Sequence, residues 1–268
     1  MTRIIAHRGA RSLAPENTIT AARAAREAGA DLWETDVTVT GDGELILMHD
    51  DTLERTTDAR FRFPERDPWS CSSFLLDEIR SLDAGSWYAQ EDPFGRIAAG
   101  EVGAEDLPGY RDERIPTLQE TLRFTRDSSF PVNLELKHLP PALAGFPLVE
   151  RVLAMIDEHG VDHGLVVISS FHHDWLHEIR QETSSIAVQG LIGTYQYKQI
   201  DWAGPLAFET YNIENTLINE KQIRALTERG ISLNIFTVND EAEMLRFVGA
   251  GVTGLITDFP QRAARLLR

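Results

Sequence analysis

The sequence of 268 residues contains little of several features that define a protein class. Its one cysteine, Cys71, allows no disulfide within the chain, which suits a reducing compartment. No apolar run approaches the roughly 18 residues that span a bilayer, and the first residues lack the apolar core of a signal peptide. We therefore expect a cytoplasmic protein without a stable membrane anchor.

Positive charge is also scarce. The formal net charge at pH 7 is -16, which argues against nucleic-acid binding because such proteins carry a basic face. A small anionic substrate remains compatible with this charge, since a few local cations or a metal ion can invert the local field. The composition thus favours a small-molecule substrate and leaves the oligomeric state open.

Short apolar runs alternate with longer amphipathic stretches along most of the chain. The candidate helices, each followed by glycine as a stop signal, cover residues 18–28, 147–159, 219–229 and 241–248. The candidate strands cover residues 3–6, 32–39, 132–136, 165–169, 186–191, 206–209, 232–237 and 254–257. About eight strand–helix repeats predict an α/β fold of the TIM (β/α)8 barrel type, with a doubly wound open sheet as the alternative. No G-x-G-x-x-G follows the first strand, which weakens a dinucleotide-binding hypothesis.

Two segments interrupt this rhythm. Residues 44–50, ELILMHD, follow a glycine-containing turn and predict an extra strand that forms a hairpin with residues 32–39. Residues 58–114 are rich in proline, glycine and charge, yet they hold eight aromatic side chains, which disordered segments lack. We expect a small inserted subdomain after the second strand, within a single domain of residues 1–268. Its aromatic residues would form either their own core, which we favour, or a lid over the site.

Carboxylates and cations lie at the predicted strand ends. Glu34 and Asp36 share one face of a strand with Cα atoms about 6.6 Å apart, so both can bind one hard cation through oxygen. Glu135 and Lys137 share a face at the end of a later strand. Taken alone, the first pair is more simply a solvated acidic face, and the second an ion pair.

Two histidines and an arginine accompany these pairs. His7 and Arg8 follow the first strand, and His49 closes the predicted hairpin. In a TIM barrel the carboxyl ends of the strands meet at one rim, where active sites lie. That rim would combine two proton-transfer groups, a guanidinium suited to phosphate and ligands for a hard cation. The combination indicates metal-assisted cleavage of a phosphodiester.

The same residues lie in motifs that resemble the glycerophosphodiester phosphodiesterase family. They are H-R-G-x-x-x-x-A-P-E-N-T at residues 7–18, G-A-D-x-x-E-x-D-V at residues 29–37 and D-G-x-x-x-x-x-H-D-x-x-L-x-R-T-T at residues 42–57. Shorter pieces such as LDAGSW at 82–87, LELK at 134–137 and GLITDFP at 254–260 carry the resemblance over nearly the whole chain. One departure is Phe236, where the family often has tryptophan.

The resemblance implies a TIM-barrel enzyme that hydrolyses glycerophosphodiesters, such as glycerophosphocholine or glycerophosphoethanolamine, to sn-glycerol 3-phosphate and an alcohol. It implies that a divalent cation, Mg²⁺ or Ca²⁺, is bound by three carboxylates, Glu34, Asp36 and Glu135. It assigns general acid and base catalysis to two histidines, His7 and His49. It assigns phosphate binding to two cations, Arg8 and Lys137. By analogy with relatives that form a cyclic phosphate, the glycerol 2-hydroxyl would attack phosphorus.

Two alternatives use the same barrel. One is a lysophospholipase D-like lipid phosphodiesterase, which needs an exposed apolar groove for the acyl chain, although the sequence has no evident amphipathic anchor. The other is a barrel that binds a metal or an anion without catalysis. The presence of all seven site residues favours the enzyme over this second alternative.

Structural roles, such as helix capping or ion pairing, explain other polar residues near the strand ends. Asn17 or Thr18 is expected to cap the first helix, as these residue types commonly do. Glu16 is a candidate partner for Arg8. Asp258 precedes the last helix, where capping alone would explain it.

Overall fold

A computed structural model describes residues 1–111 and 113–268 of the chain. The strands of the described residues are β1 (Arg3–Ala6), β2 (Leu32–Val39), β3 (Leu45–Leu47), β4 (Val132–Leu136), β5 (Val166–Ser170), β6 (Ala187–Ile192), β7 (Thr210–Glu214), β8 (Ser232–Phe236) and β9 (Gly254–Thr257). All except β3 are parallel to their neighbours, and β1 pairs with both β2 and β9. The eight parallel strands therefore close into a barrel, and the predicted TIM-barrel fold is confirmed.

Helices surround this barrel. The α-helices of the described residues are α1 (Ile19–Glu27), α2 (Ala59–Arg62), α3 (Leu76–Arg80), α4 (Ser86–Glu91), α5 (Leu107–Tyr110), α6 (Leu118–Ser128), α7 (Leu148–Glu158), α8 (His173–Glu182), α9 (Thr194–Gln199), α10 (Glu220–Thr227), α11 (Glu241–Ala250) and α12 (Pro260–Leu267). None of the helices in the described residues is long and apolar enough to cross a membrane.

The helix ends follow local sequence signals, with one correction. The Thr18 side chain caps α1 by accepting a hydrogen bond from the Ala21 amide. The predicted helix 241–248 instead continues through Gly249 to Ala250. Gly251, with φ of 97°, supplies the left-handed conformation that ends this helix. The glycine that terminates a helix is thus the one whose backbone leaves the helical region.

The predicted strand at residues 206–209 is wrong, because the seventh barrel strand is β7. Leu206 and Phe208 belong to an apolar run that precedes the strand, where the Phe208 amide donates to the Tyr211 hydroxyl. In β7 itself the central Asn212 is fully buried. A buried polar residue breaks the apolar pattern by which a core strand is recognised, so the neighbouring run gave the stronger signal.

The main hydrophobic core includes strand residues such as Trp33, Leu134 and Ile168 and helix residues such as Leu122 and Phe247. A second, smaller apolar cluster comprises Ile5, Leu32, Val167 and Ile256. Four buried amide side chains, which we call the amide layer, lie on β4, β6, β7 and β8: Asn133, Gln189, Asn212 and Asn234. TIM-barrel interiors are usually filled by bulky branched residues, so this amount of buried amide is unusual.

The hairpin partner of β2 is present, since β3 pairs antiparallel with it. In the following segment most aromatic side chains pack into two clusters, one around Trp69 and Phe74 and the other around Tyr88 and Tyr110. The Tyr88 and Tyr110 hydroxyls donate to carbonyl oxygens of the loop after β1 at 2.5 and 2.7 Å. We propose that residues 58–114 form a small subdomain of the single 1–268 domain, with these aromatic residues as its core.

Candidate active site

The sequence-predicted site residues come together at the carboxyl rim of the barrel. Six of the seven line one partly open space of about 180 Å³, which we call the inner cavity: His7, Arg8, Glu34, His49, Glu135 and Lys137. The seventh, Asp36, is 1% exposed and lies 3.3 Å from Arg8 Nε and 3.4 Å from Lys137 Nζ. Closing the barrel thus assembles one constellation from β1, β2, β4 and the β3 hairpin.

Three carboxylates form the centre of the site. Oxygen atoms of Glu34, Asp36 and Glu135 lie within 4.8 Å of one another. Three neighbours contact the Asp36 carboxylate: Asn17 Nδ2 donates to Oδ2 at 2.9 Å, Arg8 Nε lies 3.3 Å from Oδ2, and Lys137 Nζ lies 3.4 Å from Oδ1. Glu34 Oε1 is buried and has no hydrogen-bond partner among the described residues. A buried carboxylate oxygen without a partner, beside two further carboxylates, fits the binding of a hard divalent cation.

The electrostatics of the three groups support this interpretation. Burial raises the pKa of Glu34 well above its ordinary value, and the charges of Asp36 and Glu135 raise it further. Burial and Asp36 likewise raise the pKa of Glu135. Burial would also raise the pKa of Asp36, but Lys137 and Arg8 hold it well below its ordinary value. Full ionisation of all three carboxylates is thus disfavoured by the protein alone, and a divalent cation would supply the positive charge that stabilises it.

The turn after β1 brings backbone as well as side chain to the site. Arg8 and Gly9 both have positive φ, 54° and 80°. The turn points the Arg8 amide at Glu34 Oε2, 2.9 Å away. A Cβ on Gly9 would lie 2.6 Å from the Cβ of Ala21, so a side chain has no room there. The H-R-G sequence therefore fits a tight left-handed turn packed against α1.

Each histidine of the site is oriented by an aspartate. His7 Nδ1 lies 2.7 Å from Asp258 Oδ1, and His49 Nδ1 lies 2.7 Å from Asp50 Oδ1. A carboxylate acceptor places the proton of a neutral imidazole on Nδ1, which leaves Nε2 free to accept a proton. Burial lowers the pKa of His7, although the hydrogen bond to Asp258 opposes this effect.

A buried carboxylate organises the arginines beside the cavity. Glu16 lies 2.9 Å from Arg8, 2.8 Å from Arg11 and 2.7 Å from Arg55. Arg55 in turn bonds Asp50 at 2.6 Å and so connects Glu16 to the His49 pair. Burial alone would raise the pKa of Glu16, but the three arginines lower it from 4.5 to about 2.

We expect Glu16→Gln to lower the free energy of unfolding by about 3 kcal/mol at pH 7, because three arginines lose their buried counter-charge. A lowered carboxyl pKa stabilises the fold above the unfolded value and loses that effect as pH falls. The difference between wild type and variant, measured by urea unfolding, should therefore narrow between pH 4.5 and about 2. A difference of equal size at pH 7 and pH 3 would contradict this role of Glu16.

The inner cavity opens beside a wider depression of about 590 Å³, which we call the outer cleft. Glu135, Lys137 and Phe171 line both spaces. Tyr195, which is 72% exposed, also borders the outer cleft. A larger groove of about 760 Å³ lies between α1 and α6, but none of the seven site residues lines it. Six of the seven predicted site residues therefore line the inner cavity, and two of them, Glu135 and Lys137, also line the outer cleft.

Comparison with known proteins assigns the chain to a family. Residues 7–262 match the glycerophosphoryl diester phosphodiesterase family. A glycerophosphodiester phosphodiesterase from Caldanaerobacter subterraneus subsp. tengcongensis is 34% identical, with 100% of this chain and 98% of that protein covered. This chain belongs to the glycerophosphoryl diester phosphodiesterase family. The prediction that it is an enzyme of this family is confirmed.

Two further members of the family extend the comparison. A glycerophosphodiester phosphodiesterase from Bacillus subtilis is 30% identical over 96% of this chain and 83% of that protein. A phosphodiesterase from Oleispira antarctica, solved in complex with the product sn-glycerol-3-phosphate, superposes with a TM-score of 0.77 at 26% identity. That comparison covers 100% of this chain and 97% of the other. The relatives therefore match the whole barrel and its inserted segment together.

Sequence reasoning missed two contacts of the candidate site. Asp258, assigned to helix capping, is the partner of His7. Asn17, a candidate cap, bonds Asp36 instead. The signal for Asp258 was available, because it directly follows β9, whose carboxyl end lies beside that of β1 once the barrel closes.

Proposed function

We propose that this chain hydrolyses glycerophosphodiesters to sn-glycerol 3-phosphate and an alcohol with the aid of a divalent cation, Mg²⁺ or Ca²⁺. One observation carries the proposal: two cations, two aspartate-paired imidazoles and two members of a cluster of three carboxylates line a single cavity. The Oleispira antarctica relative that holds sn-glycerol-3-phosphate supports the choice of substrate class. We further propose a cytoplasmic setting, which suits the single cysteine.

The cations of the site would bind the phosphoryl group. Bound by Glu34, Asp36 and Glu135, a divalent cation would supply Lewis-acid polarisation of a phosphoryl oxygen. In the structure, side-chain nitrogens of Arg8 and Lys137 lie 2.8 to 3.4 Å from carboxylate oxygens of Asp36 and Glu135 and compensate their charge. With the carboxylate charge neutralised, both cations would face the substrate and bind phosphoryl oxygens, Arg8 through its planar guanidinium.

The two histidines would move the protons. In the first step His7 Nε2 accepts the proton of the glycerol 2-hydroxyl as its oxygen bonds to phosphorus. His49 Nε2 protonates the alcohol oxygen as the bond between that oxygen and phosphorus breaks. Water then opens the cyclic phosphate with the two roles reversed, which gives sn-glycerol 3-phosphate. Asp258 and Asp50 would hold the two rings in orientation throughout.

The lysophospholipid alternative predicts a different use of the outer cleft. An acyl chain needs a continuous apolar path, whereas this cleft mixes Phe171 and Tyr195 with His173, Asp174 and Gln196. We therefore propose a small polar alcohol as the leaving group. Faster turnover of lysophosphatidylcholine than of glycerophosphocholine would favour the lipid phosphodiesterase instead.

The first test is release of sn-glycerol 3-phosphate from glycerophosphocholine in parallel reactions with EDTA, Mg²⁺ and Ca²⁺. We expect release that requires a divalent cation in the wild type and is lost in His7→Ala. No release with either cation would overturn the proposed substrate class. Cation binding measured by calorimetry, with no turnover of any glycerophosphodiester, would instead favour the non-catalytic barrel.

We expect kcat/KM to pass through a maximum with pH, because one imidazole must be neutral and the other protonated. Burial, with added effects of Arg8 and Arg11, lowers the pKa of His7 below its ordinary value of 6.5. The acidic limb, which reports loss of the neutral base, should therefore lie below pH 6.5. Since the Asp258 charge raises the pKa of His7, Asp258→Asn should move this limb to lower pH. A flat profile between pH 5 and about 8 would contradict two-histidine catalysis.

A further inference from the structure

The amide layer contains buried polar atoms that the fold itself does not satisfy. Asn133 is 1% exposed, and neither its Nδ2 nor its Oδ1 has a hydrogen-bond partner among the described residues. Asn212 is fully buried, and its Nδ2 also lacks a partner among those residues. Buried polar groups in native proteins are nearly always hydrogen-bonded, so such orphaned atoms call for a physical explanation.

These atoms belong to side chains that line the inner cavity. Both Asn133 and Asn212 border it, whereas Gln189 and Asn234, the other members of the amide layer, do not. Asn234 Nδ2 donates to Asn212 Oδ1 at 2.8 Å and lies 3.2 Å from Gln189 Oε1. The Asn212 amide is therefore fixed through its oxygen, which leaves its nitrogen as a free donor at the cavity.

The position of Asn133 relates the amide layer to the proposed chemistry. Asn133 lies two residues before Glu135 on β4, so both side chains point to the same face of the strand. In the strand register Asn133 lies opposite Glu34 of β2, while Glu135 lies opposite Asp36. Asn133 and Asn212 line the inner cavity but not the outer cleft. The outer cleft adjoins the inner cavity at Glu135, Lys137 and Phe171. The amides therefore belong to the closed end of the space, away from the cleft.

A glycerophosphodiester has a constant part and a variable part. The alcohol varies in size, so the open outer cleft suits it, and the glycerol is constant, so the closed end suits it. A hydroxyl group both donates and accepts a hydrogen bond, and Asn133 presents both a free acceptor and a free donor. The remaining walls near this end include the apolar side chains of Leu191 and Ile256.

We propose that Asn133 and Asn212 bind the terminal hydroxyl of the glycerol moiety and so select glycerol esters among phosphodiesters. This inference rests on the proposed function. With the terminal hydroxyl held at the amides and the phosphoryl group at the rim, the 2-hydroxyl lies between them, beside phosphorus. Asn133 and Asn212 thus act as specificity determinants that also position the attacking oxygen.

The test compares two ligands by calorimetry in the presence of Mg²⁺. sn-Glycerol 3-phosphate carries the terminal hydroxyl, and 2-hydroxyethyl phosphate lacks only the hydroxymethyl group. We expect wild type to prefer the former by about 10- to 100-fold, the size of effect expected when a buried hydrogen bond is lost. Asn133→Leu keeps the side-chain size but removes the amide. We expect its affinity for 2-hydroxyethyl phosphate to be unchanged and its affinity for sn-glycerol 3-phosphate to fall to within about twofold of that value. The matched control is Thr125→Val on α6, which removes a buried hydroxyl that has no partner among the described residues and does not line the cavity; it should keep the preference.

The other outcomes are distinct. If Asn133→Leu still preferred sn-glycerol 3-phosphate over 2-hydroxyethyl phosphate, the proposal would be overturned. An equal loss of affinity for both ligands, together with a lowered melting temperature, would also overturn it, because Asn133 would then act in the stability of the fold. We expect an equal or higher melting temperature, because leucine removes two orphaned polar atoms. Wild type that binds neither ligand would overturn the proposed function itself, and wild type that binds both equally would overturn this inference alone.

Discussion

Alanine at either histidine of the inner cavity should lower the turnover of glycerophosphocholine by about 10²- to 10⁴-fold, the usual contribution of a positioned acid or base. His7 and His49 each lose the nitrogen that transfers a proton, and neither belongs to the apolar core, so the fold should persist. The assay is initial-rate release of sn-glycerol 3-phosphate, with melting temperature measured on the same samples.

The matched control for this prediction is His163→Ala. His163 also pairs with an aspartate, Asp157, at 2.8 Å, but it lies away from the rim in the short helical turn before β5. It should keep wild-type turnover. Because His7 and His49 act in the same step, the double variant should be far less impaired than the product of the single losses. A His49→Ala variant with more than half of the wild-type rate would remove His49 from the mechanism.

The second large effect concerns the carboxylate cluster. A Mg²⁺ or Ca²⁺ concentration of about 100 times Kd should raise the free energy of unfolding of the wild type by about 2.7 kcal/mol, because only the folded state assembles the three carboxylate ligands. Glu34→Gln should lose most of this stabilisation. Without a cation the same variant should melt at an equal or higher temperature, because burial and the neighbouring carboxylates disfavour the Glu34 charge.

Thermal unfolding with EDTA and with each cation measures both effects. The matched control is Glu209→Gln, which removes a carboxylate that lies just before β7 and pairs with Arg180 on the surface. Its cation-dependent stabilisation should equal that of the wild type. An unchanged cation effect in Glu34→Gln would remove Glu34 from the ligand set.

Much of the site was predictable because its signals are local. Period-two alternation in a strand puts Glu34 and Asp36 on one side without any knowledge of the neighbouring strands. The rule that strand carboxyl ends share one rim then adds His7, Glu135 and Lys137. These inferences need only the strand limits, and β1, β2 and β4 have the limits that the apolar runs predicted.

One strand prediction failed where a buried polar residue left the strand less apolar than the run beside it. The strand at residues 206–209 was misplaced because the interior position of β7 is Asn212 rather than a branched aliphatic residue. The same residue lines the inner cavity. The local pattern was therefore lost at a position where the barrel interior presents an amide to the site.

The sequence by itself determined the barrel class and predicted the rim and the seven residues of the candidate site, because strand alternation and motif spacing are properties of short segments. Only the tertiary structure decided which groups face one another. The pair of His7 and Asp258 joins residues 251 positions apart, and the contact of Arg55 with Glu16 spans 39. Such contacts depend on barrel closure and on the packing of the inserted segment. Both are stabilised by burial and by contacts between residues far apart in the chain, which no local sequence pattern encodes.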